Sequence, residues 1–425
     1  MNVGLVDPTA RTTRGLLLLL DGVAYERVRG LYEAGCFRAF CPPARLISVF
    51  PTLTDPAYDV LFETGPTPGY EAGRYDRTRN RTEFSLWQYV RGRNETWVQH
   101  VDYRLSFWLD AVIYLLPRLV YRVELRRARR RLDQLLAAGR QEVRLYVLST
   151  DGLGHMLRQD GIDRELRRLD AWVEEVRAAY PDLEIVMLAD HGLGRVPSGW
   201  PYVRRFDLAG VLRAAGLRVR RRLRRTGDVV LPVLGLLDVA RLHCFDEETR
   251  ARVVAAVRQC PEVEVVAARR DEHLEVYAGD AHAVVRKGVS LDGAPCYSYE
   301  PGTGDPLQLS AALGRLKRNT ATADEWLAAS VDLSFPAAPV RLWTGMCELS
   351  HEHPDVVVSL TDRWFVGSGL LNGFVRMRGT HGGLHRRVSE TFVMGTHFEF
   401  TDPSDLAAVA ARLRARWGWN ARVRR

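Results

Sequence analysis

Seven consecutive residues of strand character, Leu183–Ala189, stop at an acid and an imidazole set side by side, Asp190-His191, with Gly192 behind them. Two other apolar runs end in the same manner. Leu16–Leu20 halts at Asp21-Gly22, and Val143–Leu148 leads through Ser149-Thr150 to Asp151-Gly152-Leu153-Gly154-His155. Between the second and third runs, Ile162, Leu166, Leu169, Val173 and Val176 recur at helical spacing. A strand, a helix of this length and a second strand predict a crossover that leaves the strands parallel. In an open parallel sheet, ligands gather beyond the carboxyl ends of the strands. Asp21, Asp151, His155, Asp190 and His191 are therefore expected around one crevice.

A chain of 425 residues, 46% hydrophobic and 26% charged, is long enough for a large core and for more than one structural unit. Its net charge of +8 is carried almost wholly by arginine, since the only lysines are Lys287 and Lys317. We read that bias first as a coding bias and second as a field that favours a small anionic substrate, with no nucleic-acid partner expected. The six cysteines form no CxxC pair, which is the pattern of free thiols in a reducing compartment. Leu16–Leu20 is too short an apolar core for a signal peptide, and cytoplasmic residence is the expectation. Leu105–Leu136 reads as a long helix interrupted near Pro117, apolar first and arginine-rich later. Packing on the domain is its first reading, and contact of 105–131 with an anionic membrane surface is the second.

Past the first apolar strand, Leu46–Phe50 leads through Pro51 and Thr52 into Thr54-Asp55-Pro56, a strand giving way to a helix start with Thr54 as its N-cap and Pro56 in the first turn. A hydroxyl at that position faces the free amides and positive dipole end that favour phosphate. From about Pro201 to Pro339 the texture changes to short strand-like runs (Val229–Leu236, Val263–Ala267, His273–Ala278, Ala283–Arg286), with helices at Glu247–Val257 and Leu307–Leu316 and many turns between. Sheet character returns at Asp355–Leu360 and Thr391–Met394, with a last helix over Ser404–Trp417. The expected fold is α/β, a mostly parallel central sheet with helices on both faces. Residues 1–200 and 340–425 would form a discontinuous catalytic domain, and 201–339 an inserted α+β cap.

The candidate constellation is Asp21, Thr54, Asp151, His155, Asp190, His191 and, in Gly379-Thr380-His381-Gly382, His381. Carboxylates and imidazoles without thiolates suit Zn²⁺, Mn²⁺ or Fe rather than a structural cysteine site. Three aspartates and three histidines are enough for two ions, which about 4 Å apart would clamp both oxygens of an in-line displacement at phosphorus. His351 and His353, in Ser-His-Glu-His-Pro, are read as a solvated loop, and His385 is left open between a supporting contact and a surface loop. Thr52 rivals Thr54 only weakly, because the helix start follows Thr54. Tyr70, Trp87 and Tyr89 are read as packing ahead of base stacking.

The order Asp-Gly, Phe-Pro-Thr-x-Thr-x-Pro, Asp-Gly-x-Gly-His, Asp-His-Gly, Gly-Thr-His-Gly resembles the alkaline phosphatase superfamily, and within it the type I phosphodiesterase/nucleotide pyrophosphatase branch. The resemblance implies an alkaline-phosphatase-like fold. It implies one divalent ion, Zn²⁺ by preference with Mn²⁺ or Fe as alternatives, on Asp21, Asp190, His191 and Thr54, and a second on Asp151, His155 and His381. Thr54 would attack phosphorus and form a phospho-threonine intermediate, with a phosphodiester or pyrophosphate expected ahead of a monoester. Two positions depart from the branch: Ala57 stands where an asparagine usually donates to a phosphate oxygen, with the arginines of 71–93 as the nearest replacements, and Gly383 stands where a tyrosine is common. A sulfatase is disfavoured, since no Cys or Ser occupies the nucleophile position. A phosphomutase or phosphotransferase on the same residues stays open, as does a non-catalytic basic protein that binds nucleic acid or anionic lipid through 105–131 and Leu217–Arg225.

Overall fold

The computed structural model describes residues 14–419 apart from 71–72, 85–95, 107–108, 110–111, 196–199, 233–234, 291 and 368–375. Two sheets dominate it. The first has six strands in the order Ser404–Asp405, Ala44–Ile47, Glu390–Gly395, Glu184–Ala189, Gly15–Leu20, Glu142–Val147. All neighbours are parallel except Glu390–Gly395, which runs against both Ala44–Ile47 and Glu184–Ala189. Gly15–Leu20 is apolar throughout because both faces are covered. Leu16, Leu18 and Leu20 pack under the helices Tyr25–Glu33, Pro117–Ala137 and Gln159–Ala179, while Leu17 and Leu19 face Thr54–Phe62 and Leu406–Trp417. The three strands that open the sequence argument end level with one another, Leu20 lying opposite both Val147 and Ala189.

The second sheet has nine strands in the order Thr320–Ala321, Pro295–Thr303, Ala281–Val289, Leu274–Ala278, Val263–Arg269, Val356–Leu360, Val239–Cys244, Asp228–Val230, Arg218–Arg220. It is antiparallel except at its last pair. Alternate residues of Val263–Arg269 feed two separate cores, Val265 and Ala267 on one face, Val266 and Ala268 on the other. The valine run Val356–Leu360 lies inside this sheet, between Val239–Cys244 and Val263–Arg269. A doubly covered strand reads the same in either sheet, so composition alone does not say which one it joins.

Two helix starts also differ from expectation. The long helix begins at Pro117, not at Leu105, because proline's fixed φ suits the first helical position and its missing N–H forbids the interior. Thr54 is the first residue of its helix and Leu53, in an extended conformation, takes the cap position. No helix among the described residues is long and apolar enough to cross a membrane.

Candidate metal centre

Each ligand-type residue reaches the crevice by a separate structural route. Asp21 and Asp190 follow directly on adjacent parallel strands. Asp151 and His155 lie four apart on the short helix Ser149–Met156, hence on one face of it. His381 arrives from the far end of the chain because Gly379–Thr380 pairs with Gly194–Arg195, just beyond Asp190-His191. Gly22, directly after Asp21, has a φ of +64°, and a Cβ there would sit 3.3 Å from both Asp151 Oδ1 and His191 Cε1. Only glycine turns the chain at that point without crowding the ligands.

Two groups result: Asp21, Asp190 and His191, and Asp151, His155 and His381, each with donor atoms within 4.8 Å of one another and all six side chains buried. In the first, His191 Nε2 lies 3.5 Å from Asp21 Oδ1 and 3.6 Å from Asp190 Oδ2. In the second, Asp151 Oδ1 is 2.9 Å from His155 Nε2 and 3.8 Å from His381 Nε2. The imidazoles of His191 and His381 stack at 3.9 Å, so the two groups share a wall. Thr54 is half-buried at the helix start, and its hydroxyl is a hydrogen-bonding partner of the Asp190 carboxylate. The seven residues singled out in the sequence thus converge on one place.

The polar atoms behind the ligands fix which atoms face inward. His191 Nδ1 donates to the Gly192 carbonyl at 2.7 Å, His155 Nδ1 to Gly379 at 2.7 Å, and His381 Nδ1 to Thr52 at 2.9 Å. A carbonyl only accepts, so all three rings carry a proton on Nδ1 and turn Nε2 toward the carboxylates, the usual support of a metal-bound histidine. His191 Nε2 has no hydrogen-bond partner among the described residues although it is fully buried. Asp190 Oδ1 accepts from the Gly22 and His191 amides at 3.0 and 2.9 Å. The Tyr146 hydroxyl donates to Asp21, and that of Tyr114 to Asp151 Oδ2 at 2.9 Å.

Without a cation the site is electrostatically at odds with itself. Burial raises the Asp190 carboxyl, and burial pushes His191 down to about 4. His381 falls to about 3 through burial and then the neighbouring His191. For His155, burial opposes the charge but the adjacent Asp151 carboxylate outweighs it and raises the pKa; Asp151 itself is held low, burial being overcome by His155. In the first group a neutral imidazole stands beside a carboxylate that resists ionisation, and in the second a histidine must carry a proton to satisfy Asp151; a divalent cation resolves both by supplying the positive charge. The donor set therefore fits metal ions, two groups for two ions.

Several contributors escaped the sequence argument. Thr52 is fully buried; its hydroxyl accepts from the Gly382 amide at 2.8 Å and points to the Gly383 carbonyl at 3.3 Å, so it clamps the His381 loop. Asp238 grips the same loop from the second sheet, accepting from the Gly383 amide at 2.6 Å. The pattern Thr-x-Thr held a signal for the first of these, and nothing local marked Asp238, Tyr114 or Tyr146. Ala57 is buried among Tyr58, Leu61 and Phe62 and offers no side-chain donor.

His351 and His353 lie outside both groups; they line a separate cavity of about 390 Å³ with Arg77 and His243. His385 caps the helix Arg386–Ser389, accepting from the Arg387 amide at 3.1 Å. Tyr70 is buried and donates to the Gly345 carbonyl, while Trp87, Tyr89 and the arginines at 91 and 93 lie outside the described residues.

The model of the family described as type I phosphodiesterase/nucleotide pyrophosphatase matches residues 121–384. No curated protein matches the sequence. Among solved structures, human ectonucleotide pyrophosphatase/phosphodiesterase 5 is similar at 11% identity with a TM-score of 0.53, 96% of each chain being covered. The phosphonoacetate hydrolase of Sinorhizobium meliloti 1021, solved with phosphonoformate, is similar at 12% identity with a TM-score of 0.51, covering 95% of this chain and 96% of that one. At such identities the two structures establish a shared fold.

Proposed function

The chain belongs to the type I phosphodiesterase/nucleotide pyrophosphatase family of phosphoester hydrolases, and from that premise we propose that it cleaves a phosphodiester or pyrophosphate through a covalent intermediate on Thr54. The observation that carries the reading is the hydrogen bond of the Thr54 hydroxyl to Asp190, a member of the first ligand group, whose His191 stacks on His381 of the second. Asp21, Asp190, His191 and Thr54 would hold one divalent ion, and Asp151, His155 and His381 the other. Bound there, the ions, Zn²⁺ by preference with Mn²⁺ or Fe as alternatives, supply Lewis-acid stabilisation of phosphoryl charge and a lowered pKa for the attacking hydroxyl.

The chain's own residues do the rest. Thr54 Oγ1 attacks phosphorus and the leaving oxygen departs, giving a phospho-threonine that water then hydrolyses to restore the hydroxyl. The N-terminus of the helix Thr54–Phe62, the positive end of its dipole, would lie toward the phosphoryl oxygens. Tyr146 and Tyr114 hold the carboxylates of Asp21 and Asp151 at fixed angles. With Ala57 buried, no side-chain amide assists at that position, which favours substrates that bring their own recognition elements to other parts of the crevice. A small anionic phosphate ester is the substrate class that a net charge of +8 attracts.

The test is turnover of bis-p-nitrophenyl phosphate against p-nitrophenyl phosphate with Zn²⁺ or Mn²⁺ added. Diester cleavage in excess of monoester is expected. Absence of turnover of either, with two metal equivalents bound, would sink the proposal.

A further inference from the structure

The edge of the second sheet carries a basin unrelated to the metal centre. Its volume is about 660 Å³, and Arg218, Arg220, Arg221, Arg222, Arg224 and Arg225 line it together with Asp228. Of these six guanidinium groups only that of Arg218 has a carboxylate partner, Asp228 at 2.7 Å. No carboxylate among the described residues pairs with the other five, all of them exposed. The adjoining cavity around Arg77 is built differently, since Arg74 pairs there with Glu83 and both Arg77 and Arg269 with Asp355. Charge is neutralised in one concavity and left open in its neighbour.

The turn that presents these arginines is held in place. The buried Asp228 carboxylate accepts from the amides of Arg224 and Arg225 at 2.9 and 3.1 Å as well as from Arg218. Asn80 bonds both backbone groups of Leu223, its Nδ2 donating to the carbonyl at 2.6 Å and its Oδ1 accepting from the amide at 2.8 Å. The Leu223 side chain is buried against Tyr75 and Val230. A solvated arginine run needs none of this. Fixing like charges on one rigid turn works against stability unless an anion is there to receive them.

We propose that this basin binds a compact anion with several linked phosphoryl groups. Guanidinium forks match phosphoryl oxygens in pairs, and a concavity bounded by a single turn suits a short chain of phosphates. The residues lining it include no aromatic side chain on which bases of a single strand would stack. Nor do they include an apolar side chain that would enter a bilayer. The basin is separate from the catalytic crevice. Val239–Cys244 begins next to Asp238, whose amide donates to the His381 carbonyl, and ends opposite Val229, so about 20 Å of strand divides the two.

Inorganic tripolyphosphate is the probe, titrated calorimetrically into the full chain and into Arg222→Gln/Arg225→Gln, whose exposed side chains have no structural partners. Tripolyphosphate bound at the metal centre contributes equally to both proteins, so the difference reports the basin. The expected result is binding weakened about tenfold or more in the variant, with orthophosphate far weaker than tripolyphosphate on the wild type and bis-p-nitrophenyl phosphate turnover unchanged. Equal tripolyphosphate affinity of the two proteins would overturn the proposal. So would tighter binding of a single-stranded oligonucleotide, or of vesicles containing an anionic lipid, than of tripolyphosphate at about 0.15 M salt.

Discussion

Thr54→Ala removes a hydroxyl that hydrogen-bonds Asp190, so on the proposed reading diester turnover should drop on the order of 10⁴-fold while the fold and the metal content persist. Steady-state kinetics beside metal analysis checks this. Retention of wild-type rate would move the nucleophile elsewhere. Asp190→Asn acts differently, because the carboxylate is shared between the first ligand group and the Gly22 and His191 amides. It should lower bound metal from two equivalents toward one, read by elemental analysis after dialysis. Both residues were legible in the sequence, Asp190 because it ends an apolar strand beside a histidine and Thr54 because a helix start with Pro56 follows it. Tyr114 and Tyr146 were not, since a tyrosine in a strand or turn is ordinary packing until tertiary structure brings a carboxylate to its hydroxyl.

Among the elements, the helix Ala338–Cys347 does more than cover the second sheet. Its Arg341 is buried and donates to the carbonyls of Ser48 at 2.8 Å, Leu384 at 2.9 Å, and Pro336 and Val49 at 3.3 Å, tying the segment before Thr54 to the segment after His381. Arg341→Met should cost about 2–4 kcal/mol in denaturant unfolding, since four carbonyls lose their donor. The strand Val263–Arg269 carries Glu264, pushed up to about 8 by burial and then by Asp362. The native protein thus holds this proton over a range where the unfolded chain has released it. Stability from this group is present at pH below the ordinary glutamate value and is lost as pH rises toward about 8. Thermal melts from pH 5 to pH 8.5 should show a decline that Glu264→Gln reduces; an identical decline in both proteins would rule the assignment out. The strands Gly15–Leu20, Glu142–Val147 and Glu184–Ala189 were read within a residue of their ends, because continuous apolar runs bounded by acids have little alternative. Pro295–Thr303 was hidden by Pro301-Gly302, which reads as a turn but here lies on a long hairpin arm beside Ala281–Val289. Ala323–Ser330 was overlooked although Thr322 and Glu325 form a full capping box, a local signal that was there to be used.

At the scale of the whole molecule, the metal centre joins distant parts: the His381 loop is gripped by Thr52 on one side and by Asp238 of the second sheet on the other. Chelation should therefore lower the melting temperature of the entire protein, each ion being worth about 2.7 kcal/mol when free metal stands a hundredfold above Kd. Scanning calorimetry with and without EDTA measures it, and a melting temperature unmoved by EDTA would mean that neither group binds metal in the native fold. Strand partnership across the chain was the least legible level. Val356–Leu360 joins Val239–Cys244, more than a hundred residues earlier in the chain, and long-range pairing of that kind leaves no local mark. The strand order has a bearing on when the enzyme comes into being. In the six-stranded sheet Ala44–Ile47, which leads to Thr54, reaches Glu184–Ala189 only through Glu390–Gly395, a strand made long after both. At roughly 5–20 residues per second the ribosome needs some tens of seconds more to reach it after Asp190 emerges. Until then the strand before Thr54 lacks the neighbour that aligns it with Glu184–Ala189. A nascent chain that has not yet reached Glu390–Gly395 therefore holds Thr54 and Asp190 on strands that nothing yet sets side by side.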